Sequence, residues 1–316
     1  MAYTTINKSS EHFDTKIYTG NGSSQTLTMD NIGLLWVKRR DSTIRHRLFD
    51  SVRGGHYTGS GNAPLLVSDS SAGAQGTDID SATKGITFGA TQTVIGNDSA
   101  GYSYNVSGHS MVGWQWRANG SGSSNTDGSI TSTVSANTTS GFSIVSYTGT
   151  GSTATVGHGL SSAPKMIIVK DLSATKNWTV YHIGVGNDKD ILLDVSNAEN
   201  TSTAWNNTTP TSSVFSIGTL GNVNTSSNNY IAYCFAEKKG YSKFGSYTGN
   251  GNADGTFVYT GFKPAWVMVK DSTSTGQWFM RDNKRDTYNT AVNTVYANSS
   301  GAEESSQPWD MLSNGF

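Results

Sequence analysis

The chain writes one pattern three times, and this constrains the fold more than any single residue does, because segments repeated in a fixed order fold as repeated units. "SAPKMIIVKD", ending at Asp171, returns as "FKPAWVMVKD", ending at Asp271, with Pro164 and Pro264, Val169 and Val269, and Lys170 and Lys270 in matching places. Each copy opens on an aromatic-tipped segment and a Gly-rich turn: "IYTGNG" at Tyr18, "SYTGTG" at Tyr147 and "SYTGNG" at Tyr247. An apolar run closed by lysine follows, "GLLWVKR" at Lys38 and its counterparts at Lys170 and Lys270, and then a second aromatic run, "RLFD", "NWTVYH" and "QWFMRD". The first two copies end on "MVGWQWRANG" and "YIAYCFAEKKG", where Trp114 and Trp116 take the places of Tyr233 and Phe235.

Apolar and polar residues alternate in "FDTKIYT", "FSIVSYT" and "NWTVYH", the period of a half-buried strand, and helical spacing is nowhere sustained. Turn signals such as "SVRGG", "GNDK" and "GNADG" recur at short intervals. The expected fold is all-β, with tandem antiparallel β-sandwich units of jelly-roll or lectin-like type and very little helix. The units are residues 1–118, 141–240 and 241–316. Residues 119–140, rich in Ser, Thr, Gly and Asn, form a linker whose "SITSTVS" adds an edge strand. Each unit is expected to seal a small core of its own, with Trp36, Trp114, Trp178 and Trp278 inside. "EKKGYSKF" leaves almost no slack, so the second and third units should form a rigid pair. The final "SNGF" aligns with Phe215 in "SVFSIG", so the third copy stops about 20 residues before the closing strands of the second. Either a longer chain or another subunit would supply them, since a bare apolar edge invites aggregation.

Composition narrows the function. Charged residues are 14%, against about 25% in an ordinary domain, and the net charge of -1 gives no field for nucleic acid. The five Lys and Arg of "KRRDSTIRHR", residues 38–47, then read as a solvated face or a contact with a neighbouring subunit. The N-terminus has no cationic start with an apolar run behind it, and no apolar stretch approaches a membrane span. Cys234, the one cysteine, lies in "YIAYCFA" and reads as a buried, inert thiol.

Motifs for chemistry are weak. "GHSMVG" places Ser110 near a nucleophile elbow, but Val112 stands where the turn needs glycine and a strand follows. "NGNADG", residues 250–255, has the alternating oxygens of a calcium loop, yet Gly261 stands where the bidentate Glu belongs. No pair of the glutamates Glu11, Glu199, Glu237, Glu303 and Glu304 is singled out as a glycosidase acid and base, and the histidines lack zinc-ligand spacing. No catalytic residue, metal or cofactor is therefore assigned. Sugar rings stack on Trp, and Trp116, Trp205 and Trp309 are the candidate glycan-binding residues.

Taken in tandem, "YTGNG", "APKMIIVKD", "LFDSVRG", "NNTTPTSSVFSIG", "YIAYCFAEKKGYSKFGSYTGNG" and "FVYTGFKPAWVMVK" resemble a repeat family common in structural proteins of marine tailed bacteriophages. The first copy departs from it, with "NIGLL" in place of the proline and an insertion around "HYTGSGNAPLL". The resemblance implies a tail-fibre or other virion appendage of concanavalin A-like sandwiches, with no assigned catalytic residues. It also implies further strands after "LSNGF". The function expected is a virion structural protein, assembled in the host cytoplasm without disulfides and involved in attachment to host-surface glycan. Its partners would be other virion proteins, further copies of itself in a homo-oligomer such as a trimer, and host polysaccharide. A capsid decoration or tail adaptor of purely architectural role is the alternative.

Overall fold

The computed structural model describes residues 4–29, 32–59, 63–98 and 101–316. Part of the "HYTGSGNAPLL" insertion, and Asn31 of "NIGLL", lie outside them.

Among the described residues strands make up nearly all of the regular structure, and helix is confined to a 3-10 turn at Ser9–Glu11 and one turn, α1, at Gly221–Asn224. The first unit contains β1 (Phe13–Thr19), β2 (Gln25–Leu27), β3 (Gly33–Arg39), β4 (Arg47–Asp50), β5 (Ile86–Phe88), β6 (Thr93–Ile95) and β7 (Ser110–Arg117). A four-stranded sheet, ordered β1-β7-β3-β4, faces a three-stranded one, β2-β6-β5. The linker forms β8 (Ser123–Asn125) and β9 (Ser132–Asn137). In the second unit come β10 (Phe142–Thr148), β11 (Ala154–Gly157), β12 (Met166–Asp171), β13 (Thr179–His182), β14 (Gly186–Leu192), β15 (Asn200–Thr201), β16 (Val214–Ile217) and β17 (Asn229–Phe235). Its large sheet runs β15-β14-β13-β12-β17-β10-β9-β8, opposite the pair β11-β16. The linker is thus no loose tether: β9 joins the edge at β10, as expected of "SITSTVS", and β8 extends it. The third unit holds β18 (Trp266–Lys270), β19 (Trp278–Asp282), β20 (Ala291–Tyr296) and β21 (Glu304–Trp309) in that order. All ladders between these strands are antiparallel.

The expectation of three separately sealed cores is corrected by the packing. Side chains alternate across a strand, and both faces of the large sheets are covered. In β3, Leu35 and Val37 join Tyr18, Phe49 and Met111 in a core private to the first unit. Leu34 and Trp36, on the opposite face, join Trp114, Trp116, Phe142, Ile168, Trp178, Tyr233, Trp278 and Met280, a cluster drawn from all three units. The second unit keeps a private core around Tyr147, Ile167, Trp205, Phe215 and Tyr230. The third keeps a small one of Val267, Ala291 and Met311, edged by Val269, Trp309 and Phe316. A sheet buried on both faces reads as a continuous apolar run, which is the physical reason for "GLLWV" and "MIIV". The shared core is continuous because the three units close on one another head to tail.

The opening segments of the first two copies are strands as expected, but the third is not: residues 243–250 form no ladder. The cause is local. β1 bonds to β7, and β10 bonds to β17. Residues 241–316 contain no counterpart of β7 or β17, so the third opening segment has nothing to bond to. Phe215 pairs with Val156, and Phe316 exchanges two backbone hydrogen bonds with Val258 (2.8 and 3.1 Å), which stands two residues past the position equivalent to Val156.

Candidate functional site

The repeat positions meet at the joints between units. Eight residues after Lys38, Lys170 and Lys270 stand His46, Trp178 and Trp278. Trp178 Nε1 donates to Val67 O (3.0 Å) and Ser70 O (3.2 Å) of the first unit, and Trp278 Nε1 donates to Leu192 O (2.9 Å) of the second. His46 closes the ring onto the third unit. Its Nδ1 accepts from Trp36 Nε1 (2.8 Å), so the ring proton is on Nε2, which donates to Tyr296 O (3.0 Å). Burial, reinforced by Lys38, holds its pKa well below the usual histidine value and keeps it neutral. Each unit therefore bonds to the one before it, and the first bonds to the last.

Four residues further along, the same frame carries Asp50, His182 and Asp282. Asp50 pairs with Arg53, and Asp282 pairs with Arg285, each at 2.6 Å with both side chains sealed from solvent. In each pair the aspartate's second oxygen accepts backbone N–H groups of the following turn. Each also takes a proton donor from another unit: Tyr233 Oη donates to Asp50 (2.9 Å) and Trp114 Nε1 donates to Asp282 (3.1 Å). These donors are equivalent residues of β17 and β7. His182 and Val185 take these places in the second unit.

The three lysines bond alike, each Nζ donating to the carbonyl of the next residue and to one further along the turn, although Lys38 and Lys170 are fully buried and Lys270 is partly exposed. Lys38 Nζ donates to Arg39 O (2.7 Å) and Ser42 O (3.4 Å), Lys270 Nζ donates to Asp271 O and Ser274 O, and Lys170 Nζ donates to Asp171 O, Lys176 O and Ser71 O. Burial lowers Lys38 and Lys170 to about 8.

Of the candidate glycan-binding residues, two are corrected. Trp116 is 8% exposed in the shared core and Trp205 1% exposed in the second unit's own core, so neither ring has a face for a sugar. Trp116 fills core volume on the same face of β7 as Trp114, and Trp205 fills it from the turn between β15 and β16. Trp309 is half-buried, stacks on Phe316 (5.9 Å, 20°) and has the Arg281 guanidinium 4.4 Å over its ring. Trp36, Trp114, Trp178 and Trp278 are buried as expected. Cys234 is buried, and burial pushes its thiol pKa up. Ser110 Oγ meets Arg40 Nη1 (3.3 Å), while His109 beside it turns to Asp41 and Arg39. The "NGNADG" loop folds on itself, Asn250 Nδ2 donating to Asp254 O. The basic run reaches another unit of the same chain: Arg40 pairs with Glu303 at 2.6 Å.

Two surfaces remain with character of their own. The first is a polar groove of about 660 Å³ on the second unit, where Asp188, Asp190, Asn200, Asn207 and Asn222 meet over Leu192 and Leu220. Their contributions come from β14, β15, the 205–208 turn and α1, separated in sequence by loops, and no spacing rule links them. The second surface is the outer side of the third unit. Among the described residues seven large hydrophobic side chains are exposed, and five of them, Tyr247, Phe257, Tyr259, Tyr288 and Leu312, belong to this unit, which marks it as the under-covered one.

The fold and these joints define an all-β protein of three tandem units closed around a common core, the first two with two facing sheets each and the third, among the described residues, with one. The chain belongs to the DUF7483 family, a domain of unknown function whose model matches residues 8–316. No curated protein and no solved structure matches it. No helix among the described residues is long and apolar enough to cross a membrane.

Proposed function

We propose that this chain is a structural component of a bacteriophage virion, a part of a tail fibre, capsid decoration or other appendage that acts by assembly and carries out no reaction. The observation that supports this most is the ring itself. Buried polar groups, His46, Trp178, Trp278 and the Asp–Arg pairs with their cross-unit donors, join copies of one scaffold. Units joined in this way are held together without disulfides, in keeping with the resemblance of the repeats to phage structural proteins. Ring closure needs no second chain; association with other virion proteins, and between chains, is part of the proposal. Mass spectrometry and antibody labelling of purified particles test it. The chain is expected at fixed stoichiometry in the particle, and its absence from particles while abundant in lysate would overturn the reading.

Attachment to host-surface glycan is a second reading, favoured by the groove on the second unit. Carboxylate and carboxamide groups there suit sugar hydroxyls, and Leu192 and Leu220 give an apolar floor. Purified protein should then bind host lipopolysaccharide, with binding reduced about tenfold by Asn222→Ala. Binding unchanged by that substitution, or no binding at all, would leave the architectural role alone.

A further inference from the structure

The three joints between units are alike in backbone and unlike in one side chain. Each is crossed by main-chain hydrogen bonds. Ala74 N and Lys176 N donate to Leu172 O (3.0 Å) and Ser71 O (2.9 Å) between the first and second units. Glu199 N and Gly276 N donate to Ser272 O and Ser196 O (both 2.8 Å) between the second and third, and Glu303 N donates to Arg40 O (2.7 Å) between the third and first. At the shared frame position the first two joints carry an indole, Trp178 or Trp278, whose N–H donates at any pH. The joint between third and first carries His46, the side-chain type whose charge changes between pH 5 and 8.

A protonated His46 does not fit the joint as built. The ring is sealed from solvent and both nitrogens are committed, Nδ1 accepting from Trp36 Nε1 (2.8 Å) and Nε2 donating across the joint to Tyr296 O (3.0 Å). An imidazolium donates from both nitrogens, so Nδ1–H would stand against Trp36 Nε1–H, donor against donor. The charges around it are also adverse. β3 brings Lys38, the segment of His46 itself brings Arg45 and Arg47, and the 67–70 loop brings Asp69. Asp69, the one carboxylate among these, is already engaged: Oδ1 accepts from His46 N (3.0 Å) and Oδ2 faces Arg45 Nη1 (3.9 Å). The third unit meets the ring with main-chain atoms of Tyr296 and Ser299, while the Tyr296 hydroxyl donates to Glu304. The other carboxylates of this joint, Asp282 and Glu303, are paired with Arg285 and Arg40.

We propose that His46 is an acid-operated latch: proton uptake opens the joint between the third and first units while the two tryptophan joints stay shut, turning the ring into an open arch of three units. The latch rests on the geometry of the joints and stands independently of the virion reading. In an opened joint His46 meets water and titrates near the ordinary 6.5, whereas burial and Lys38 hold the closed form well below that value. The closed state is therefore fully favoured above about pH 6.5 and loses ground as pH falls, by up to about tenfold in the opening equilibrium per pH unit. From pH 7 to 5.5 one such proton gives a rise of about eightfold. Asp69 works in the opposite sense, since burial raises its carboxyl pKa and it takes up its proton more readily in the closed form; the window is therefore kept above the carboxylate range. The other histidines lowered by burial bond elsewhere, His12 to Asn137, His158 to Thr211 O and His182 to Gly184 N.

The test is amide exchange of the full chain, resolved to single residues at pH 7 and 5.5 and corrected for the intrinsic pH dependence of exchange. Opening at Glu303, which reports the latch, should rise about eightfold. Opening at Ala74 and Lys176, and at Glu199 and Gly276, should change less than about twofold. This comparison lies within the wild-type chain and needs no variant. His46→Gln adds a second arm, because a carboxamide can accept from Trp36 Nε1 and donate to Tyr296 O without titrating. In that variant the response at Glu303 should be flat. A Glu303 amide indifferent to pH, an equal rise at all three joints, or a rise that persists in His46→Gln would overturn the latch.

Discussion

The second and third units carry nearly the same strand, "MIIVKD" and "WVMVKD", in very different states. β12 has a strand on each side and a core on each face; β18 has one neighbour and a three-residue private core. What differs is the company, so burial here belongs to the position in the sheet more than to the strand's own sequence. Without the strand that β17 supplies, the opening segment loses its ladder, its tyrosine becomes exposed, and the outer aromatics Phe257 and Tyr259 are left uncovered.

The comparison is sharpened most at the frame position shared by Asp282 and His182. Asp282→Ala leaves Arg285 with Glu303 (3.1 Å) as its remaining carboxylate partner and the Trp114 N–H unmatched, so a loss of about 3 kcal/mol is expected in denaturant unfolding. His182→Ala removes no ion pair and should lose about 1 kcal/mol. Comparable losses would mean that the buried pair is not what fastens the third unit. Next come the equivalent residues Ile168 and Met268. Truncating Ile168 to alanine in the shared core should cost about 3 kcal/mol, and truncating half-exposed Met268 about 1 kcal/mol. Equal values would break the contrast between a flanked and an unflanked strand.

The lysines give a pH-dependent version. Folded Lys170 titrates near 8, below the ordinary 10.5, so between these values the unfolded chain holds a proton that the folded chain has released. Stability therefore rises with pH across that window, by about 1 kcal/mol per pH unit at most for one lysine. Tyrosines such as Tyr233, whose folded pKa lies above the ordinary 10, oppose this beyond pH 10, so the slope is best read from 8 to 10. Lys170→Met should reduce the slope and leave the share of Lys38, whereas Lys270→Met should change it little, its lysine being partly exposed. The smallest effect is kinetic: amides of residues 243–250 should exchange far faster than those of β10, which peptide-resolved exchange reads directly. Matched protection would show that the third opening segment is bonded after all.

Much of this was legible from the chain alone. Spacing to the lysine located the repeated strands, alternation identified them as strands, and Trp36, Trp114, Trp178 and Trp278 were assigned to the interior. The shared core was not, because a run such as "MIIV" states that both faces of a strand are covered without stating by what. Trp116 shares a face with Trp114 but stands near the end of its strand, where a ring on that face can lie beyond the core; only the arrival of Phe142, Phe235 and Trp266 from other units decides it. The Asp–Arg pairs had a signal that spacing could have supplied: "DSVR" and "DNKR" begin at the same offset from Lys38 and Lys270. The groove over Leu192 and Leu220 had none, since its residues are brought together by loops alone.

The head-to-tail bonds of Trp178, Trp278 and His46 run between members of a single polypeptide. A trimer of separate chains falls apart on dilution and must present one surface three times over. Here the local concentration of each member is set by the tether and does not fall with the protein's own. Substitutions can also accumulate in one member alone, so the polar groove carried by the second unit need not be matched in the other two.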